Sequence, residues 1–321
     1  MTDTSNKPTG ARLLYIYKVG NIAGAAVCAL LCAICTALFF DYKPGYFKSH
    51  PAVTIFYISI ACAVFFSLST KFAFKKSFKL IAPTSKVGTP ILSIIPACAF
   101  IYYAISITPM ALEGSSKSGT YLWQALLSLV AFAYFFVSAL EITANKNLLS
   151  SLGIISVIPL ILIAVNSYFD YTTVMNGPDK LFMQFATVTF ALLTINEIRF
   201  ILGKPYPRFY VSLASISTTV CIISATSKAC ILIKGSSSAA SDSLALIVLF
   251  SLLGVYSALR LVFLKEDAES DDSIEKDSNS NDIESQEEIS DSDIFTDNQD
   301  ANTVDVTADQ DENSDLNTSQ Q

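Results

Sequence analysis

The stretch 181–202, LFMQFATVTFALLTINEIRFIL, is apolar apart from a few polar residues, and its only charged residues, Glu197 and Arg199, lie near its end. An apolar α-helix of about 20 residues crosses a hydrocarbon core roughly 30 Å thick. Backbone groups at that depth must be hydrogen-bonded within the protein, and the stretch lacks the alternation of a membrane β-strand. It therefore predicts a membrane-spanning helix, which Gly203 and Pro205 are expected to end.

Seven further stretches of similar length and composition occur along the chain. The eight predicted spans are 21–40, 52–70, 90–110, 122–142, 148–169, 181–202, 209–233 and 243–264. The first is expected to be a retained span, because its apolar part exceeds the roughly 7–15 residues of a signal peptide and no small-residue cleavage site follows it. The predicted fold is an all-α polytopic integral membrane protein, with a cytoplasmic segment over 1–20 and an eight-helix transmembrane bundle over 21–264.

The charge is divided between two regions. Residues 1–265 hold 20 bases and 8 acids, whereas residues 266–321 hold 20 acids and one base. A polar, acidic segment of this kind buries too little apolar surface to offset the entropy of ordering, so 265–321 is predicted to be a disordered acidic tail. The tail could bind a basic protein partner, fold back on the basic loop at 71–86, or serve only as a solubilising extension.

The distribution of Lys and Arg predicts the orientation. With the N-terminus inside, 15 of the 21 bases lie on the inner side of the membrane and 6 on the outer side. The positive-inside rule then places both termini in the cytoplasm, in what we predict to be a bacterial cytoplasmic membrane. The loop 71–86, KFAFKKSFKLIAPTSK, mixes lysines with apolar residues, which favours contact with an anionic lipid bilayer over contact with nucleic acid.

Residues suited to catalysis or metal binding are sparse. His50 is the only histidine, and the chain has no P-loop, dinucleotide-binding or nucleophile-elbow motif. Cys28, Cys32 and Cys35 share one helix face, but buried cysteine more often packs as a small apolar residue than as a metal ligand. We therefore predict no metal, no cofactor and no enzyme activity.

Polar residues recur every three to four positions within three of the spans, so they mark one face of each helix. They are Gln124, Ser128, Tyr134 and Ser138 in the fourth span, Gln184, Thr187 and Thr194 in the sixth, and Ser215 and Thr219 in the seventh. Small and hydroxylated residues let helices pack closely and hydrogen-bond across the contact. We predict that these faces point into the bundle, either as packing contacts or as a polar path.

Four charged residues lie at similar depth near the inner ends of spans: Glu141, Glu197, Arg199 and Arg260. At a helix end such side chains can extend to water, or they can pair inside the bundle. We predict an ion-pair cluster on the cytoplasmic side, in which Glu141 or Glu197 pairs with Arg199 or Arg260. Glu197 and Arg199 are not expected to pair with each other, because residues i and i+2 do not face each other on a helix.

Taken together, the residues favour a membrane protein without enzyme activity, whose basic inner face and acidic tail are interaction surfaces. The alternative is a transporter that moves a small solute along the polar faces of spans four, six and seven. An intramembrane enzyme is the least favoured function, because neither metal ligands nor a nucleophile with its base occur at membrane depth. The residues do not specify a substrate.

Overall fold

The computed structural model describes residues 10–41, 46–48, 50–73, 80–81, 91–113, 118–140, 146–169, 178–204, 206–234 and 240–266. The helices within these ranges are α1 (Gly10–Phe39), α2 (Pro51–Ala73), α3 (Ile94–Leu112), α4 (Ser118–Leu140), α5 (Lys146–Tyr168), α6 (Pro178–Ile201), α7 (Pro207–Lys234) and α8 (Ala240–Val262). A 3-10 turn, Ile91–Ser93, leads into α3. Two-residue strands form two antiparallel pairs, β1 (Phe40–Asp41) with β2 (Tyr46–Phe47) and β3 (Leu80–Ile81) with β4 (Lys265–Glu266).

Seven of the described helices are long and apolar enough to cross a membrane, as expected of a helical multi-pass membrane protein. Helix α2 is 23 residues long, but the apolar stretch found among its described residues, Val53–Leu68, is shorter than those of the other seven helices. The eighth span therefore stays a prediction. The predicted tail lies outside the described residues, except for Lys265 and Glu266.

The start of α1 differs from the predicted start of the first span. The helix begins at Gly10, within the segment 1–20 that was expected to precede it. Residues of this longer helix make a contact that the sequence does not show. Lys18 Nζ donates hydrogen bonds to the backbone carbonyls of Val262, at 2.9 Å, and Leu264, where α8 ends. Carbonyls in the last turn of a helix lack helical donors, so a lysine there is stabilising and supports the longer α1.

Helices α3 to α8 pack as a closed ring, in which each helix contacts the next one in sequence and α8 returns to contact α3. Helices α1 and α2 pack on each other and on α7. Successive helices in the ring alternate in direction, as short connections favour. One end of the bundle therefore gathers the starts of α1, α3, α5 and α7 and the ends of α2, α4, α6 and α8.

Aromatic side chains from four helices fill the middle of the ring. The ring of Phe135 stacks on that of Phe100 with centroids 5.7 Å apart, and it lies 6.3 Å from Phe190 and 6.1 Å from Tyr256. All four residues are fully buried. Centroid separations of about 4.5–7 Å are favourable for aromatic pairs, so the centre of the ring is a packed core in this conformation.

The end of the bundle at which α8 finishes is rich in bases, and we call it the basic end. Its described bases are Arg12, Lys18, Lys71, Lys146, Arg199, Lys204, Arg208, Arg260 and Lys265. Strand β3, which follows α2, pairs here with β4, which follows α8, so that Leu80 is opposite Glu266. The loop after α2 and the first residue of the acidic segment are therefore joined by backbone pairing.

Helix α6 ends in a glycine-capped turn, as its sequence predicts. Gly203 has a φ of 73°, a left-handed conformation that glycine adopts without strain. Lys204 N–H donates to Arg199 O at 2.9 Å and Gly203 N–H donates to Phe200 O at 3.1 Å, which are the two hydrogen bonds of a Schellman motif. This turn reverses the chain, so that α7 runs back along α6.

A buried polar cluster links α1 and α2 to α7. Asn21 Oδ1 accepts hydrogen bonds from Ser67 Oγ, at 3.0 Å, and from Ser215 Oγ. Asn21 Nδ2 donates to Tyr17 O at 2.8 Å, and Tyr17 Oη donates to Ser67 O at 3.2 Å. Interhelical hydrogen bonds in membrane bundles contribute roughly 0.6–2 kcal/mol, so this cluster fixes how α1 and α2 pack on the ring.

Candidate functional site

Glu197 of α6 and Arg260 of α8 form an ion pair inside the bundle. Arg260 Nε lies 3.3 Å from Glu197 Oε1, and the two residues are 3 % and 4 % exposed, respectively. Glu197 is about one turn from the end of α6, and Arg260 is in the last turn of α8. Both residues lie at the basic end, but their side chains are buried inside the bundle.

Two buried phenols donate to the Glu197 carboxylate. Tyr256 Oη lies 2.8 Å from Oε1 and 2.9 Å from Oε2, and Tyr210 Oη donates to Oε1 at 3.0 Å. Tyr256 Oη also accepts a hydrogen bond from Arg260 Nε at 2.8 Å. The Tyr256 hydroxyl therefore connects the guanidinium to the carboxylate as well as filling the space beside them.

Arg260 has a further partner in the 3-10 turn before α3. Its Nη2 donates to Ser93 Oγ at 3.2 Å, and its guanidinium carbon lies 5.0 Å from the centroid of the Tyr256 ring. We call Glu197, Tyr210, Tyr256, Arg260 and Ser93 the carboxylate network. It connects α6, α7, α8 and the turn before α3 at the basic end of the ring.

Local sequence explains two of the pairings in the network. Tyr256 and Arg260 are four residues apart and share one face of α8. Tyr210 is in the first turn of α7, and the Schellman turn at Gly203 brings it back beside Glu197. The pairing of α6 with α8 is instead a tertiary feature, because the two helices are separated by all of α7.

Helix α5 approaches the network closely through a glycine. A Cβ built on Gly153 would lie 2.7 Å from Ile198 Cδ1 and 2.9 Å from Tyr134 Cε2, closer than real Cβ atoms come to their neighbours. Ile198 follows Glu197 on α6, and both Ile198 and Tyr134 are buried. The absence of a side chain at Gly153 thus allows α4, α5 and α6 to close around this end of the ring.

The network is electrically balanced. Burying a charge is costly unless an opposite charge and hydrogen bonds replace its hydration, and both are present for Glu197. Ionisable residues inside a membrane bundle are rare, face the bundle interior and usually mark a functional site. The carboxylate network is therefore the candidate functional site of this protein.

The other two charged residues proposed for the cluster are not in the network as described. Arg199 is on α6, two residues from Glu197, and its guanidinium carbon lies 4.0 Å from the centroid of the Tyr206 ring. This cation–π contact leaves it at the surface of the basic end, on a different side of the helix from Glu197. Glu141 lies outside the described residues.

The residues of the predicted polar faces lie inside the bundle with few exceptions. Those that are buried are Gln124, Ser128, Tyr134, Thr187, Thr194, Ser215 and Thr219, and those that are half-buried are Ser138 and Gln184. The threonines donate to backbone carbonyls of their own helices at 2.8–3.1 Å. Gln124 accepts a hydrogen bond from Tyr103 of α3 at 3.3 Å, whereas Ser215 belongs to the Asn21 cluster. The polar residues of these faces therefore take part in several different contacts within and between helices.

Three residues of the network were not predicted from the sequence. Tyr256 had a usable signal, since it lies one helical turn before Arg260 in YSALR. Tyr210 had another, because it follows the helix break at Gly203 by about as many residues as Glu197 precedes it. Ser93 carried no signal, because a serine in the turn before α3 has no charge or spacing to distinguish it.

The cysteines of α1 pack in an apolar setting. Cys28, Cys32 and Cys35 belong to a cluster with Phe56, Ile60, Phe182 and Ile223. Cys32 Sγ lies 3.9 Å from Ile223 O and 3.9 Å from Thr36 Oγ1. Within the described ranges, no group of three or more His, Cys, Asp or Glu side chains is arranged to hold a metal ion.

Comparison with protein-family models, curated proteins and solved structures finds no match to this chain.

Proposed function

We propose that this chain is an eight-span membrane protein without enzyme activity, and that its basic end and acidic tail form an interaction surface for other proteins. The observation that carries this proposal is the pairing of β3 with β4. It attaches the first residue of the acidic segment to the loop that follows α2, where bases are concentrated. Under the positive-inside rule this end faces the cytoplasm, together with both termini.

The charge difference between the two ends supports the proposal. Among the described residues, the acids at the basic end are the buried Glu197 and the strand residue Glu266. At the opposite end, bases and acids are mixed: Lys48, Lys180, Lys228 and Lys234 with Asp41, Glu113, Asp179 and Asp242. A surface rich in bases attracts anionic lipid by about 1 kcal/mol per base, and an acidic tail can bind a basic partner.

A photoreactive amino acid in place of Ile289, an apolar residue of the tail, is expected to crosslink to other proteins in intact cells. The crosslinks should disappear when the acids of 266–321 are replaced by Asn and Gln at unchanged length, because the attraction is electrostatic. The measurement is the gel shift of the irradiated chain, with mass spectrometry of the crosslinked species.

The same photoreactive group at Trp123, an exposed residue near the opposite end of the bundle, is the matched control. The pattern of crosslinks from this position should be the same for the acidic and the neutral tail. An Ile289 pattern that is identical for the acidic and the neutral tail would contradict an interaction surface based on charge.

A second candidate function is transport of a small solute, and the carboxylate network favours it. A buried ion pair joins helices of a closed ring at one end, where separation of α6 from α8 would open the interior. Buried salt bridges are weak evidence for stability, and one use of such pairs is to hold one of two conformations. The packed aromatic centre would then correspond to a closed state of the ring.

Cysteine accessibility tests this second function. Thr194 is buried on α6, one turn before Glu197, so Thr194→Cys should react with a water-soluble maleimide only when the ring opens at the basic end. We expect slow labelling in membranes and at least several-fold faster labelling when Glu197→Gln is added. Lys204→Cys, at an exposed position, should label rapidly in both backgrounds. If Thr194→Cys stays unlabelled in both, the ring does not open at this end and the transport candidate is wrong.

A further inference from the structure

We infer that the donors of the carboxylate network form a binding site for small carboxylate anions, and that the protein's own Glu197 occupies this site in the structure. The hydroxyls of Tyr210 and Tyr256 converge on the two carboxylate oxygens at 2.8–3.0 Å. Arg260 supplies the balancing positive charge, with its Nε 3.3 Å from Oε1. Two phenol donors and a guanidinium directed at one point recognise a carboxylate by both geometry and charge.

Burial makes the site dependent on an occupant. Tyr210 and Tyr256 are fully buried and Arg260 is nearly so. If no acceptor were present, two buried hydroxyl donors would lose their acceptor and the guanidinium would lose its opposing charge, which is far more costly than the same loss at a surface. Any small anion that offers two oxygens and one negative charge therefore satisfies the same groups that Glu197 satisfies.

The surroundings limit the size and charge of that anion. The aromatic core that includes Tyr256 lies on one side of the site, and Ile198 packs against Gly153 of α5 on another. The space for an occupant is therefore close to that of a glutamate carboxyl end, which suits formate or acetate. Chloride is a single atom and cannot occupy the positions of both carboxylate oxygens at once, and sulfate carries two charges where one guanidinium is present.

This inference is independent of the proposed interaction surface. If the chain is a transporter, the inference names the class of solute, because an incoming carboxylate would take the place of Glu197 on the same donors. The site can be tested without measuring transport, so that failure of one idea does not decide the other.

The test empties the site and refills it. Glu197→Ala in the full chain, purified in detergent, is expected to lower the melting midpoint in chloride solution by roughly 6–15 °C, since it leaves the buried charge of Arg260 without an opposing charge. Formate, and less strongly acetate, should recover at least half of that loss at equal ionic strength. Sulfate should give no such recovery. The measurement is thermal unfolding in the presence of a thiol-reactive dye, whose fluorescence rises as the buried cysteines become accessible and react with it.

Two variants serve as controls. Glu197→Gln fills the site with an uncharged group of the same shape, so formate should give it no stabilisation. Glu197→Ala combined with Arg260→Met removes the positive charge, and formate should again have no effect. The Glu197→Ala chain could fail to fold in chloride buffer. In that case, purification of folded chain from formate buffer but not from chloride buffer is the expected result. Equal stability of Glu197→Ala in formate and chloride, or failure to recover it in either, overturns the inference.

Discussion

Replacing Arg260 by methionine is expected to lower the free energy of unfolding by about 3–5 kcal/mol, the usual loss when one partner of a buried ion pair is removed. The methionine keeps the apolar volume of the side chain, but it leaves the Glu197 carboxylate with two phenol donors and no opposing charge. The measurement is a denaturant titration of the bundle in mixed micelles, followed by circular dichroism.

The double variant Glu197→Gln, Arg260→Met separates the charge effect from lost packing. Its amide oxygen still accepts hydrogen bonds from Tyr210 and Tyr256, and no charge remains in the site. We expect the double variant to be more stable than Arg260→Met alone, because a neutral replacement of a buried pair is often tolerated. Arg199→Met, which loses only the contact with Tyr206, should cost no more than about 1 kcal/mol. If both Arg260 variants lose the same free energy, the pair does not act as a charge pair.

The helices were predictable because they depend on local properties. A run of apolar residues long enough for a membrane specifies a helix whatever its neighbours are, so the observed helices begin and end within a few residues of most predicted spans. The end of α6 was predictable for a similar reason. Gly203 is followed by Lys204 and Pro205, and a left-handed glycine is the common way to end a helix.

The composition of the site depends on which helices are neighbours, and the sequence does not show the order of the helices in the ring. The spans predicted a similar depth for four charged residues, Glu141, Glu197, Arg199 and Arg260. Four charges at one depth allow several different ion pairs. The choice of Arg260 as the partner of Glu197 depends on the ring in which α8 lies against α3 and reaches α6. Ring order is a property of packing between segments distant in sequence, and no periodicity within one helix encodes it.

Tyr210 and Tyr256 were missed for a related reason. A tyrosine in an apolar span is most simply interpreted as part of the core or as an interface residue, since its ring is largely apolar. Its hydroxyl becomes informative only when a buried acceptor is known to lie within reach. Polar groups buried in a bundle are almost always hydrogen-bonded, so the buried carboxylate required donors, even though the sequence could not name them.

Replacing Gly153 by alanine is expected to destabilise the bundle by about 1–3 kcal/mol, although alanine normally stabilises a helix relative to glycine. The added Cβ would lie 2.7 Å from two carbons of Ile198 and 2.9 Å from Tyr134, so either these side chains or α5 must move. Ile198 is adjacent to Glu197, and a shift of α6 here would also lengthen the hydrogen bonds of the carboxylate network. The measurement is the same denaturant titration.

Gly24→Ala on α1 is the matched control, because a Cβ at Gly24 would have nothing within 4 Å beyond its chain neighbours and the nearby backbone of its own helix. It should leave stability unchanged or raise it by up to about 1 kcal/mol, as the lower backbone entropy of the unfolded chain predicts. A second arm combines Gly153→Ala with Ile198→Ala, which removes both carbons that the new Cβ meets at 2.7 Å. The double variant should lose less free energy than the sum of the two single losses, because the methyl group fills part of the space that Ile198 vacates. Additive losses, or a Gly153→Ala chain as stable as the Gly24→Ala control, would show that α5 does not approach α6 as closely as the structure has it.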